Sequence, residues 1–158
     1  MDSDDLWFNN KLDEQIGFMK ANKYTFTCTG YSKIDENGND LNKEKKTIPK
    51  SDYEALLKEC PGNSTVIYNV NVLGKFYIED IKKRNDYLMW LQVIKESKHL
   101  YGLNKTLSSH RIRTGSISKN KFSLVKYHWI VYRHIEKLSI TKSVYLIMYW
   151  INKKLINK

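Results

Sequence analysis

Cysteine is scarce. Cys28 and Cys60 are the only two in 158 residues, and neither has a CxxC or Cys/His neighbour at metal-binding spacing. That argues against a disulfide scaffold or a zinc module and leaves buried or incidental thiols of a reducing compartment. Long apolar runs are missing as well. The longest, Val144 to Ile151, is far short of the ~20 residues that cross a bilayer. The opening Met1-Asp2-Ser3-Asp4-Asp5 is acidic where a secretory leader is basic. The expectation is a cytoplasmic protein, or one held peripherally on the inner face of the cell membrane. Repeats and low-complexity linkers are absent too.

Acid is what the last third lacks. From Asn104 onward there are twelve lysines and arginines against one acid, Glu136. The preceding fifteen bases and sixteen acids nearly cancel, so the net charge of +10 belongs to the C-terminal third. A surface that attracts an anionic partner therefore sits there. What remains is ordinary for one globular domain: 41% apolar and 28% charged residues.

Leu12, Ile16 and Met19 recur at helical spacing and predict an amphipathic helix over 10–21. Tyr24 to Thr29 reads as a strand, and Asp35-Glu36-Asn37-Gly38-Asn39-Asp40 as a turn centred on Asn-Gly. The lysine-rich stretch Lys43 to Lys50 reads as a solvated connection. Ser51-Asp52-Tyr53-Glu54 has the form of a capping box that starts a helix through Lys58. After the break at Pro61-Gly62-Asn63 a strand is expected over Ser64 to Tyr68. A helix over 81–95 with Tyr87, Trp90, Leu91 and Ile94 on one side follows. Two short strands come next, His99 to Leu103 and Leu107 to Ile112. The end is helical, in two segments broken at Leu138-Ser139. Phe122, Val125, Trp129 and Tyr132 form one apolar stripe; Val144, Ile147, Met148, Ile151 and Leu155 form the other.

Two acidic motifs carry the chemistry. In Asp2-Ser3-Asp4-Asp5, closely spaced carboxylates suit a hard divalent cation; a charge cluster ahead of a helix is the structural alternative. The second is Lys83-Arg84-Asn85-Asp86-Tyr87-Leu88-Met89-Trp90-Leu91. There Asp86 is either a first-turn acid favoured by the helix dipole or a general base.

The order of these motifs resembles the bacterial family-2 glycosyltransferases. Asp2-Ser3-Asp4-Asp5-Leu6-Trp7 with Lys11-Leu12 and Gln15 is similar to that family's acidic DxD motif and following helix. Tyr31 to Gly38 and Ser64 to Tyr68 are similar to its next strands, and Asp86-Tyr87 with Trp90-Leu91 to its second acidic motif. Tyr101-Gly102-Leu103-Asn104, Arg111-Ile112-Arg113 and Gly115-Ser116-Ile117-Ser118 continue the match. Two residues depart from the pattern: Asn85 stands where the family usually has Glu, and Arg113 where many members have a metal-binding His.

The resemblance implies an α/β fold, a partial GT-A mixed sheet with flanking helices and a C-terminal helical pair. Residues 1–118 would be the C-terminal part of the catalytic domain, and 119–158 a basic amphipathic tail. It implies inverting transfer of a sugar from a nucleotide-sugar donor to a saccharide or lipid-linked acceptor, in cell-surface polysaccharide synthesis. In that scheme Asp86 is the base, and Arg111, Arg113 and Ser116 contact the donor diphosphate. Asp2, Asp4 and Asp5 then hold Mn2+ or Mg2+. The βαβ units that bind the nucleotide in a complete domain are expected ahead of Asp2, so the chain reads as a truncated form. It is expected to need a partner chain or to self-associate through an open strand edge. The alternative is a non-catalytic basic module that associates with membrane or nucleic acid. No nucleic-acid motif supports the latter half, and no nucleic-acid partner is expected. The basic tail itself fits a membrane surface and fits helices packed on the domain.

Overall fold

A computed structural model describes residues 2–77, 81, 83–113 and 121–156. Ser116, one of the expected diphosphate contacts, lies outside them.

Six strands form one mixed sheet. Its centre is a parallel pair, β2 (Phe26–Ile34) and β6 (Leu100–Arg111). β1 (Leu6–Trp7) lines the far end of β6, and β3 (Asp40–Lys45) the far end of β2, both antiparallel. β4 (Lys50–Ser51) runs antiparallel beside the start of β6, and β5 (Ile67–Tyr68) beside the start of β2. Several strands depart from expectation, and each departure has a local cause. The stretch 43–50 is part of two strands rather than a plain connection, because the Asn37-Gly38 turn folds β3 back onto β2. Gly38 takes φ 93° there, and Asp35 Oδ1 accepts from the N–H groups of Asn37 and Asn39, both at 2.8 Å. The two strands expected between His99 and Ile112 are one. Register shifts against β2 absorb the polar Asn104-Lys105-Thr106 as an irregularity, not a break. Gly30 is required opposite it: a Cβ there would lie 3.0 Å from both the Lys45 carbonyl and Thr106 Oγ1.

Residues 64–65 are not strand. They close a 3-10 turn, Asn63–Thr65, whose carbonyls serve side chains instead of a ladder. Ser64 O accepts from Trp7 Nε1 at 2.6 Å, and Thr65 O from Lys11 Nζ at 3.3 Å and Gln15 Nε2 at 3.0 Å.

Those two donors reveal the orientation of α1 (Lys11–Asn22). The helix is where the spacing predicts it, but its sheet-facing side is polar. Lys11 and Gln15 are fully buried, while Leu12 and Ile16 are 45% and 38% exposed. Gln15 bridges the turn to Thr27 Oγ1 of β2 at 3.0 Å, and Lys11 Nζ sits 5.0 Å from the Trp7 ring centroid. A satisfied polar network thus wins over the apolar stripe. α2 (Tyr53–Lys58) is capped by Asp52, whose Oδ1 accepts from the Ala55 N–H at 2.8 Å. Ser51 is unavailable as a cap because it pairs with Leu100 in the sheet.

α3 (Val70–Leu73) is a single turn. α4 (Asn85–Ser97) begins later than its periodicity predicts, since Arg84 takes φ 69° and interrupts any helix approaching from Ile81. It is the helix at the centre of the core. Tyr87, Leu88, Trp90, Leu91, Val93 and Ile94 are all buried, against Phe26 and Leu100 of the sheet and Leu56 and Leu57 of α2. Each large side chain so buried contributes about 1.5–3 kcal/mol relative to exposure.

α5 (Lys121–Trp129) widens into a π turn over Ile130–Ile135, and α6 (Ile140–Ile156) follows. Val131, Tyr132 and Leu146 belong to the same core as α4, so these helices are integral to the domain's packing. α6 packs Ile147 of its apolar stripe against the core and leaves much of the rest of that stripe outside. Ser143 and Leu146 face inward, while Ile140, Val144, Met148 and Leu155 are 46–61% exposed.

Candidate functional site

The first acidic motif is pinned between the ends of β6 and the 63–65 turn. The Asp2 N–H donates to Ser64 Oγ at 3.1 Å, and Asn63 Nδ2 donates to Asp2 Oδ1 at 2.8 Å. Asp5 is buried. It accepts from Ser64 Oγ at 2.6 Å and from the Arg111 N–H at 3.1 Å, and it forms an ion pair with His110 Nδ1 at 3.1 Å. Burial works to raise the Asp5 carboxyl, but the hydrogen bonds from His110, Ser64 and the Arg111 backbone outweigh it. Asp5 therefore titrates below the ordinary aspartate range. The Asp5 hydrogen bond in turn holds His110 above its ordinary value, against the effect of burial.

Asp4 points elsewhere. Its carboxylate meets Arg113 Nε at 3.3 Å, on the strand exit. Arg111 is engaged with backbone: Nε donates to the Asp4 carbonyl at 3.0 Å, and Nη1 to those of Asp35 at 3.1 Å and Glu36 at 2.9 Å. It ties the acidic motif to the β2–β3 turn.

A cavity of about 310 Å³ opens beside this cluster. Three carboxylates line it, Asp2, Asp5 and Asp86, the last half-buried in the first turn of α4. Its cationic residues are Lys45, Arg84, His110 and Lys154. The two acidic motifs, more than eighty residues apart in sequence, thus share one wall. Asp4, Arg111 and Arg113 are not part of it. Among the described residues, no group of three or more His, Cys, Asp or Glu side chains converges as a ready-made metal cage. Asp2 and Asp5 nonetheless both border the cavity, and carboxylate oxygen is the donor type that Mg2+ and Mn2+ take when a substrate's phosphates complete the shell.

Sequence reasoning missed His110, Arg84 and Lys154. For His110 the signal was strand period: Ser108 and His110 alternate toward the cavity while Arg111 turns away. Lys154 had no such signal, since α6 reaches the cavity only through tertiary packing.

No family model matches the chain. It is 34% identical over 146 residues to TuaG of Bacillus subtilis (strain 168), a glycosyltransferase named for teichuronic acid biosynthesis; the match covers 92% of this chain and 58% of TuaG. It is 32% identical over 152 residues to WfgD of Escherichia coli, a UDP-Glc:alpha-D-GlcNAc-diphosphoundecaprenol beta-1,3-glucosyltransferase, covering 94% of this chain and 58% of WfgD. The chain therefore spans a little over half the length of these relatives. The crystal structure of S. aureus TarS 1–349 superposes with a TM-score of 0.57 at 15% identity, over 96% of this chain and 44% of that one. The fold is the α/β, GT-A-like arrangement of a mixed sheet with flanking helices, and the curated homologues are glycosyltransferases.

Proposed function

We propose, from homology with glycosyltransferases named for cell-surface polysaccharide synthesis, that this chain carries the acceptor side of an inverting sugar transfer. The donor is a nucleotide sugar, and the acceptor a saccharide or a lipid-linked saccharide. The observation that supports this most is the shared cavity: Asp86 faces the same space as Asp2 and Asp5.

The chemistry follows from that layout. Asp86, as carboxylate, accepts the proton of an acceptor hydroxyl while its oxygen attacks the anomeric carbon from the face opposite the leaving group. The bond from that carbon to the diphosphate oxygen breaks, its electron pair stays on the diphosphate, and the configuration inverts. Asp2 and Asp5 would hold Mg2+ or Mn2+, and the cation would supply charge neutralisation for the departing diphosphate. Asp5 is fixed as an anion by His110, Ser64 and the Arg111 N–H, so its negative charge stands beside Asp2 without a change of protonation. Asp4 and Arg113 brace each other and keep the motif in place.

The exposed side of α6 favours a membrane site of action. Ile140, Val144, Met148 and Leu155 lie with Thr141, Tyr145 and Asn152 on a face that carries no charge, in a region of large positive excess. No helix among the described residues is long and apolar enough to cross a membrane. We read α6 as a helix that lies on an anionic bilayer, which brings the cavity to a lipid-linked acceptor.

Replacing Asp86 by Asn in the intact gene product is the test. Turnover should fall by a factor on the order of 10²–10⁴, with nucleotide binding retained. Unchanged turnover would rule Asp86 out as the base.

A further inference from the structure

Arg84 has no part in the transfer step, yet it is held in place on the cavity wall. It precedes α4 in left-handed backbone, at φ 69°, a conformation that costs a non-glycine residue about 1 kcal/mol or more. Its Nη2 donates to His128 Nε2 at 2.6 Å, and its guanidinium stands 4.9 Å from the Tyr87 ring centroid. Its Nε is buried and has no hydrogen-bond partner among the described residues. These partners are a neutral imidazole and a ring, so the charge is not spent on them.

The direction of the guanidinium is set from behind. His128 can accept from Arg84 only as the tautomer protonated on Nδ1, and that proton faces the Tyr132 hydroxyl at 3.2 Å. Tyr132 donates onward to the Leu57 carbonyl at 2.9 Å. The series runs from the backbone of α2 to the cavity, with every member buried up to Arg84. Lys154, from α6, lines the same cavity and lies close enough to act on His128 electrostatically.

The geometry points to an anion subsite: Arg84 and Lys154 take a phosphate group beside Asp86, with His128 as a positioning residue for Arg84. A guanidinium whose partners are a neutral imidazole and a ring, lining one cavity with an ammonium from another element, suits phosphate oxygens. Only the subsite's place in the reaction rests on the role given to Asp86; phosphate binding itself does not. The phosphate could arrive on the nucleotide donor or on a lipid-diphosphate acceptor.

The 158-residue chain is titrated with inorganic pyrophosphate by calorimetry, with a chelator present so that Asp2 and Asp5 recruit no metal. Binding should saturate and weaken by at least about tenfold in Arg84→Gln and in Lys154→Gln, with partial recovery in Arg84→Lys. Lys126→Gln, at an exposed position outside the cavity, controls for bulk charge and should bind as the parent does. His128→Gln should weaken binding while circular dichroism shows the fold intact. Absence of saturable binding, parent-like affinity in both glutamine variants, or an equal loss in Lys126→Gln overturns the subsite. If Arg84→Gln fails to fold, the Lys154 variant decides, because that residue is exposed. Repeating the titration with a nucleoside diphosphate and with a dodecyl diphosphate assigns the source: the ligand whose affinity falls in the variants is the one bound here, and a fall for neither overturns the proposal. An Asp86→Asn protein that keeps its turnover would remove the catalytic reading and leave the pyrophosphate result standing.

Discussion

His110 and Asp5 are 105 residues apart in sequence and 3.1 Å apart in space. Strand β6 makes that meeting, because its pairing with β1 carries Ser109 opposite Leu6. The first acidic motif is thereby divided: Asp5 is locked into the fold, Asp2 borders the cavity, and Asp4 is turned to Arg113.

That division predicts unequal contributions to metal binding. In the intact gene product, Mn2+ uptake measured by calorimetry should require a nucleoside diphosphate, since two carboxylates on a wall make an incomplete shell. Asp2→Asn should weaken the nucleotide-dependent uptake by about tenfold or more, while Asp4→Asn should change it little. Tight binding of the metal without nucleotide, or equal losses in both variants, would contradict the arrangement.

Acid stability should carry the signature of His128. Burial, with the charges of Arg84 and Lys154 adding to it, pulls its pKa down to about 3. Between about pH 6.5 and 3 the unfolded chain therefore binds a proton that the folded chain does not. Stability is unaffected by this group above that window and falls as pH drops through it, by at most about 1.4 kcal/mol per pH unit. In urea titrations at pH 7 and pH 4.5, the parent should lose more stability on acidification than His128→Gln. Equal losses would mean that the imidazole is not buried neutral.

Lys11 acts at the other end of the scale. Burial lowers its pKa to about 8, so between about pH 8 and 10.5 the unfolded chain is the more protonated. Stability should rise with pH across that window in the parent, relative to Lys11→Met. Near pH 7 the methionine variant should be close to neutral, because it removes a buried charge that has no acidic partner along with its bonds to Gln15 and Thr65. Parallel pH profiles for the two proteins would refute the burial of a charged Lys11.

The uncharged face of α6 predicts binding to vesicles. The chain should co-sediment with phosphatidylglycerol-rich liposomes, and less with neutral ones. Val144→Asp or Met148→Asp should weaken binding by at least about tenfold, as expected when one large apolar side chain stops inserting. Circular dichroism should remain that of the parent, since both residues are about half exposed. Undiminished sedimentation in both variants would leave the face without a role at a bilayer.

The helices were legible wherever the signal was local. α1, α2 and α4 stand close to their predicted positions because caps, periodicity and breakers lie within a few residues of one another. Their orientations were harder. In α1 the stripe splits, with Met19 buried and Leu12 and Ile16 exposed, because Lys11 and Gln15 answer the Thr65 carbonyl of a turn some fifty residues away. In α6 the stripe was legible but not its direction: the core leaves Val144 and Met148 outside and takes Ser143 and Leu146. The candidate base and the first acidic motif could be found from their carboxylates. His110 was findable only from the alternation of its strand, and Arg84 and Lys154 not at all, since their meaning depends on which side chains the sheet and α6 bring to one wall.

The parallel pairing of β2 with β6 also shapes how the chain acquires its structure. Thr27 sits opposite Tyr101, so the central pair closes a loop of about seventy residues before it gains its first ladder hydrogen bond. Every neighbouring strand adds to that pair, and the Asp5–His110 contact forms only once it exists. Folding should accordingly be slow for the chain's length, as for other topologies rich in distant contacts, with β2 exposed to other chains in the interval. The same long-range closure makes the cavity an all-or-none feature: it is complete when the central pair is zipped, and absent in any intermediate that holds only α4 and its local contacts.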